Sequence, residues 1–512
     1  MRKWMPLVTI GLGTFMLLVD VTIVNVALPD IATDLKTGLG DLQWVIDIYA
    51  LALAALLLGI GSAADRFGHR LVYVIGMVVF ALSSLACALS TGSGSLIAAR
   101  GVQGIGGAAM FATTIALLSS AYSDKDRGIA FGVWGAINGA AAAAGPILGG
   151  LLTEQFGWQS IFLVNVPISV VAFGLALRVL KESKNPKAKI DPAGVVTFTI
   201  AAGSLTYGLI RAAEDGWTKP APLISFVVAA VALVVFILIE RVRAYPMLDL
   251  KLFGRPAFTG LMIAAITIQA GAFSAMAYTS IWLQSVLGLG PIAAGAVFLP
   301  LSLVSLVCSV LTGRLLHDKV PAGLLIGVGV ALVAVGSALQ ALIGSGSSWT
   351  VLVPGLVALG IGVGVAMPTL SSAALAAAPR ERGGMAGGAM NMFRQLGYVL
   401  GIAVFGAVFA NRVEATITAN GSVSNPGKVA DLLTGGQARV VTGTAPAAQR
   451  GAVDDLVHTA FASGLRWVFL VAAATALVGA VFTLLLTNRP QRSGEPDQDD
   501  EAAPVEAAPV PG

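Results

Sequence analysis

Apolar residues run along this chain in long blocks, and polar residues gather in the stretches between them. A helix needs about 20 apolar residues to cross a bilayer. By that measure the pattern predicts fourteen spans, near residues 5–28, 43–64, 71–90, 95–121, 128–152, 158–180, 191–211, 221–240, 258–286, 292–316, 321–343, 349–378, 385–410 and 464–487.

The connections carry a second pattern. Every other one is basic: "DRFGHR", "SDKDRG", "KESKNPKAK", "ERVRAYPMLDLKLFGR", "HDK" and "PRERGG". The alternate ones are poor in Lys and Arg, with Lys36 and Lys219 among the few. Lys and Arg collect on the cytoplasmic side of a membrane. Both chain ends, with Arg2, Lys3, Arg489 and Arg492, are therefore expected in the cytoplasm, which requires an even number of spans. Trp44, Trp158, Trp217, Trp349 and Trp467 then fall near the outer interface, where indole rings prefer to sit. Residues 411–463 read as a long polar outer connection with room for a short helix. Residues 488–512 are Pro-, Ala- and acid-rich, a composition that predicts disorder.

Composition agrees. Of 512 residues, 56% are hydrophobic and 11% charged, against about 25% charged in soluble domains. The net charge of +4 says little about partners, because the position of each charge matters more than the sum. The first apolar run ends in "NVALPD" and not in a small-residue cleavage site, so it predicts a retained helix. Cys87 and Cys308 both lie in apolar segments, which argues against a disulfide framework or a metal site.

An internal repeat is visible. "GSAADRFGHR" follows the second span and "GRLLHDKVPAG" follows the tenth. The places match if spans seven and eight are inserted between two six-helix halves. In the second copy His317 takes the slot of Asp65, and Asp318 follows it. Two parallel halves around a site at mid-membrane form a transporter architecture.

Sorting the 27 acids by depth leaves only Asp20 and Asp47 clearly within spans. Arg100, Arg394 and, near an end, Arg466 are the basic residues there. A charge at a helix centre costs roughly 2.5–3.5 kcal/mol on insertion scales, so each should face a cavity or a partner. Asp20, Asp47 and Arg100 fall at similar depth and are expected to share one outward-leaning polar cluster able to take and release a proton. The alternative is that the acids only hydrogen-bond neighbouring helices, or that Asp47 caps a helix start. In "RGVQGIGGAAM", Arg100, Gln103, Gly104 and Gly107 share one helical face by spacing. "NGAAAAAGPILGG", from Asn138 to Gly150, combines small residues for close helix packing with Pro146 for a kink. At the inner turn, Asp65 is expected to pair with Arg66, Arg70 or a base from another helix; the alternative is a simple basic anchor. Trp134, Phe111, Phe273, Tyr278 and Phe298 are aromatic candidates for stacking on a substrate, against the alternative of packing. The glycine pairs near residues 11 and 104 lack the lysine of a phosphate-binding loop, so ATP drive within this chain is not expected.

These stretches together resemble the major facilitator superfamily. "GSAADRFGHR" is similar to its inner-loop signature through Gly61, Asp65, Arg66, Gly68 and Arg70. "LIAARGVQGIGGA" resembles its fourth-helix signature through Arg100, Gln103 and Gly104. "AGPILGG" resembles the fifth-helix signature of antiporters through Gly145, Pro146, Gly149 and Gly150. "LVDVTIVNVALP", "QWVIDIYALALAAL" and "GWQSIFLVNVPI" are similar to signatures of the fourteen-helix drug:proton antiporters. Ala141 departs from the fifth-helix pattern, which usually has glycine there, and Gln159 and Ser160 replace a common tryptophan and arginine. The tenth span lacks the acid of relatives that export divalent cations.

The resemblance implies an all-α membrane protein of fourteen helices. Residues 1–180 and 258–487 would form two six-helix bundles, with a two-helix insertion at 181–257. It implies alternating access in a multi-pass protein of the cytoplasmic membrane, and export of hydrophobic or cationic drugs against proton entry. Asp20, Asp47 and Arg100 would couple protons; Gly61, Asp65, Arg66 and Arg70 would form the gating loop. Asn25, Gln103, Trp134, Asn138, Phe273, Tyr278 and Arg394 are the candidates for binding an amphipathic small molecule. No cofactor, metal, nucleic-acid partner or enzymatic activity is expected, and the monomer should suffice. The alternatives are an exporter dedicated to one endogenous metabolite or lipid and, more distantly, a non-transporting sensor with the same fold.

Overall fold

The computed structural model describes residues 2–487 except 123, 185–190, 244, 245, 247, 317, 318, 378–382, 422–424, 445, 447 and 448. The described residues form helices joined by turns and short connections, with no strand among them. The order is α1 (Met5–Leu35), α2 (Leu39–Phe67), α3 (His69–Ala88), α4 (Ser93–Ala121) and α5 (Asp124–Phe156). Then come α6 (Ser160–Val179), α7 (Pro192–Asp215), α8 (Pro220–Val242) and α9 (Pro256–Val286). The chain continues through α10 (Pro291–Val297), α11 (Leu299–Leu311), α12 (Ala322–Gln340), α13 (Val353–Ala376) and α14 (Gly383–Asn420). It ends in α15 (Pro426–Thr434), α16 (Ala438–Thr444) and α17 (Arg450–Thr487).

Twelve helices among the described residues are long and apolar enough to cross a membrane, and α10 with α11 makes a thirteenth, bent by 40°. The bend falls at Phe298, two residues before Pro300, whose ring removes a backbone donor. The measured count thus stops at thirteen against the fourteen expected. The helix not counted is α5, several of whose side chains lie outside the described residues.

The first six helices pack on one another, as do α9 to α14 together with α17. The pair α7 and α8 pack together, and α7 leans on both α2 and α14. Much of α8 shows apolar side chains outward, including Leu223, Ile224, Val227 and Val231. In water that surface would be costly; against lipid tails it is not, because the helix satisfies its own backbone.

The connection at 411–463 differs from expectation. α14 continues to Asn420 and α17 begins at Arg450, so most of that stretch is helical. A helix entering water keeps its internal hydrogen bonds, so the apolar run is not its limit. Between them, Gly435 sits against Thr37 and Gly38, and Gly436 against Pro29 and Ile281. This segment therefore lies over the ends of α1 and α9. His317 and Asp318, from the second copy of the repeat, lie outside the described residues.

Candidate functional site

Asp20 and Arg100 meet at the centre of the first six helices. Arg100 Nη1 lies 2.6 Å from Asp20 Oδ2, with both side chains almost fully buried. The other Asp20 oxygen accepts from Gln103 Nε2 at 3.0 Å and Asn165 Nδ2 at 2.8 Å. Arg100 also donates to Gln103 Oε1 at 2.7 Å and, through Nε, to the Val45 carbonyl at 3.0 Å. Ser84 accepts from Gln103 Nε2 at 2.8 Å. Each of these side chains has a partner, as a buried network requires; the neighbouring Tyr49 hydroxyl has none among the described residues.

Helical spacing explains the set. Arg100 and Gln103 are three apart and so share a face of α4. Their arms reach α1 at Asp20, α2 at Val45 and α3 at Ser84, and Asn165 of α6 joins through Asp20. Tyr49, one turn beyond Val45, places its ring 4.2 Å from the Arg100 guanidinium carbon. That distance suits a cation–π contact.

Asp47 does not join this network, contrary to the shared cluster expected. It is fully buried, and neither carboxylate oxygen has a hydrogen-bond partner among the described residues. The reason is angular. Residues two apart on a helix point about 200° apart, since each step turns about 100°. Tyr49 faces Arg100, so Asp47 faces the other way, with Gln43. On that side Gln43 Nε2 donates to the Tyr278 hydroxyl at 3.0 Å.

The remaining candidates fall into separate places. Asn25 Nδ2 donates to the Tyr398 hydroxyl at 3.3 Å, joining α1 to α14. Tyr278 is buried between Gln43 and the Ile402 carbonyl, to which it donates. Trp134 Nε1 donates to Thr14 at 3.1 Å, and its ring is partly buried against the core of the first six helices. Phe273 is partly buried against the core, and Phe298 lies within it. The side chain of Asn138 lies outside the described residues. Arg394 lines a narrow cavity of about 20 Å³ between α1, α2, α4 and α14, together with Leu17, Tyr49, Phe111, Asn391 and Gln395.

At the inner turn Asp65 pairs with a base of another helix, one of the pairings expected, and not with Arg66 or Arg70. Asp65 contacts His69 Nε2 at 3.1 Å, four residues on and across the break at Gly68. Arg70 instead donates from its guanidinium to the Leu177 carbonyl, and its backbone N–H to Glu182 at 3.0 Å. Glu182 also accepts from Leu71 N–H, so it caps the start of α3. Arg66 lies by the ring of Phe67. Gly61 has open space where a Cβ would stand.

Helix α5 is held close on two sides. A Cβ on Gly145 would overlap Thr22 of α1, and one on Gly149 would meet the Ile23 carbonyl at 2.9 Å. A Cβ on Gly150 would lie 2.5 Å from Ile292 Cα, and one on Gly295 would lie 2.1 Å from the Pro146 carbonyl oxygen. So α5 touches α10 nearly backbone to backbone. Gly295→Leu should cost about 1–3 kcal/mol by overpacking. An unchanged melting temperature in detergent would mean that the helices part freely there.

Asn165, Ser84, Tyr49 and Tyr398 belong to these contacts and were not singled out from the sequence. Asn165 carried a signal: it is a lone amide in the apolar run "FLVNVPI". Ser84, Tyr49 and Tyr398 carried none that distinguishes them from packing residues.

Comparison with known proteins places these features in a lineage. The family model described as "Major Facilitator Superfamily" matches residues 10–402. The "Multidrug resistance protein Stp" of Mycobacterium tuberculosis is 36% identical over 415 residues, covering 81% of this chain and 77% of that protein. The "Tetracenomycin C resistance and export protein" of Streptomyces glaucescens is 33% identical over 525 aligned residues, covering 100% and 95%. Among solved structures, a bacterial homologue of the human lysosomal transporter Spinster aligns over 95% of this chain and 97% of its own. Its TM-score is 0.63 at 18% identity, a likeness of fold.

Proposed function

The chain belongs to the Major Facilitator Superfamily, and on that premise we propose that it exports apolar drugs or antibiotic-like compounds in exchange for protons. As a transporter of this superfamily it is a multi-pass membrane protein. The relatives named for multidrug resistance and for tetracenomycin C resistance and export support the cargo class. The observation that carries the proton half is the buried Asp20–Arg100–Gln103 site.

A proton reaching Asp20 cancels the charge that holds Arg100. The guanidinium then has less reason to keep its place over Tyr49. Tyr49 also lines the cavity, so a ligand pressing on it acts on the same arrangement from the other side. Two ligands that bias one two-state element in opposite directions are coupled, and the coupling is reciprocal. Asp47, buried without a donor, is proposed as a second proton carrier. The two six-helix halves would move about the interface at α5 and α10. Cytoplasmic chain ends follow from the basic inner connections.

The test uses proteoliposomes with an acid interior in alkaline buffer, and a fluorescent apolar solute lacking a titratable amine. Protein-dependent accumulation that a protonophore abolishes is the expected result. Uptake that only equilibrates, whatever the gradient, would refute proton exchange.

The inner turn yields a smaller prediction. The Asp65–His69 contact is substantially exposed, so its loss should cost less than about 1 kcal/mol of stability. If that turn helps to close the inner face, Asp65→Asn should still slow turnover several-fold while substrate affinity stays near the parent value. Unchanged turnover returns Asp65 to the role of an anchor.

A further inference from the structure

The charges around the cavity point to a narrower substrate class. Its walls are apolar on the α1 and α2 side, with Leu17, Leu18, Val21, Leu53 and Leu57. The α14 side is polar, with Asn391, Arg394 and Gln395. Among these lining residues Arg394 is the one ionic group, and no carboxylate stands opposite it. Asp20 is fully buried and already bound by three donor side chains. Asp47 is not part of the lining.

Arg394 is poorly satisfied. Nη1 donates to Asn391 Oδ1 at 3.3 Å. Its Nε is buried and has no partner among the described residues. No ion pair to Arg394 is present among them. Compare Arg100, at the same kind of depth, which has a carboxylate, an amide oxygen, a carbonyl and an aromatic face. A buried cation lacking such partners is destabilising, and an incoming anion relieves it. A guanidinium offers a planar fork matched to a carboxylate, and an ammonium ion brought to the same wall would be repelled by Arg394.

We propose that this cavity selects apolar compounds bearing a carboxylate or another oxyanion, which docks on Arg394 while the apolar body lies against α1 and α2. Neutral compounds rich in carbonyl oxygens rank second, and lipophilic cations are disfavoured. The proposal rests on taking the cavity as the substrate chamber of the exporter. It narrows the hydrophobic or cationic class expected from family resemblance. The anion could be supplied by a free solute or by a lipid phosphate; the chemistry at Arg394 is the same.

Three pyrene probes of one shape test it: pyrenebutyrate, pyrenebutanol and pyrenebutylamine. Binding to the full chain in detergent, followed by fluorescence with no proton gradient, should rank acid above alcohol above amine. The acid should bind about ten-fold or more tighter than the amine, as befits a hydrogen bond to a charged group. Arg394→Gln should erase that preference, and Arg394→Lys should keep part of it. Equal or reversed ranking in the parent protein overturns the proposal without any variant being folded. So does an acid preference that survives Arg394→Gln in a protein with unchanged melting. Competition by phosphatidylglycerol but not phosphatidylcholine would support the site and assign it to a lipid phosphate; displacement by the small acid alone would assign it to a solute. Because binding is read at equilibrium, a failed ranking leaves proton-driven export standing. Failure of gradient-driven uptake leaves the ranking standing.

Discussion

Arg100→Leu should be the most destabilising single change in the first six helices, costing about 3–5 kcal/mol. The substitution keeps an apolar side chain of modest size, so the loss is not chiefly one of volume. It leaves the Asp20 carboxylate buried with only Gln103 and Asn165 as donors. It also frees the Val45 carbonyl and the face of Tyr49. The sign of a second measurement separates charge from packing. Asp20→Asn combined with Arg100→Leu removes the stranded charge, so the double variant should melt higher in detergent than Arg100→Leu alone. If the double variant melts lower by the sum of both single effects, the two residues act independently and the ion pair is not what holds the helices. Arg100→Lys should fall between. One ammonium group cannot reach Asp20, Gln103 and Val45 at once, nor lie flat on Tyr49.

How much of this was legible beforehand depended on which coordinate a residue pattern reports. Depth is written in the order of apolar blocks, so Asp20 and Arg100 could be placed near one level. Spacing within one helix is also written, and it put Gln103 beside Arg100. Azimuth between helices is not written, and the three-member cluster failed there: Asp47 turns away from Tyr49 by about 200°. That angle could have been used, but only once Tyr49 was known to face Arg100. Asn165 needed a partner from a helix 145 residues away in the chain, and Glu182 lies 112 residues from the turn that it caps. At the inner turn, Asp65 had several bases within reach. Its partner His69 stands four residues on, across the break at Gly68 between α2 and α3. Extensions such as α14 to Asn420 were missed because a helix need not stop where its apolar run does.

Asp20→Asn should abolish gradient-driven exchange, whereas Asp47→Asn should reduce it or shift its proton dependence. The asymmetry comes from the surroundings of the two acids. Among the described residues Asp20 is the acid within the spans that contacts a buried cation, so a change in its charge has a mechanical consequence at Arg100 and, through Tyr49, at the cavity. Asparagine keeps the size and can still accept from Gln103 or Asn165, but it mimics a permanently neutral Asp20. A site that cannot change charge cannot bias the two states in response to a proton gradient. Equilibrium binding and downhill leak should survive, since neither requires the cycle of charge. Asp47 has no cation partner among the described residues, and asparagine there keeps its size without a charge. Uptake into acid-loaded proteoliposomes, measured beside probe binding in detergent, distinguishes the cases. Concentrative uptake persisting in Asp20→Asn would remove the ion pair from the coupling mechanism. Its loss in Asp47→Asn with full activity in Asp20→Asn would transfer the role to Asp47, and proton arrival would then act at the Gln43–Tyr278 contact between the halves and not at Arg100.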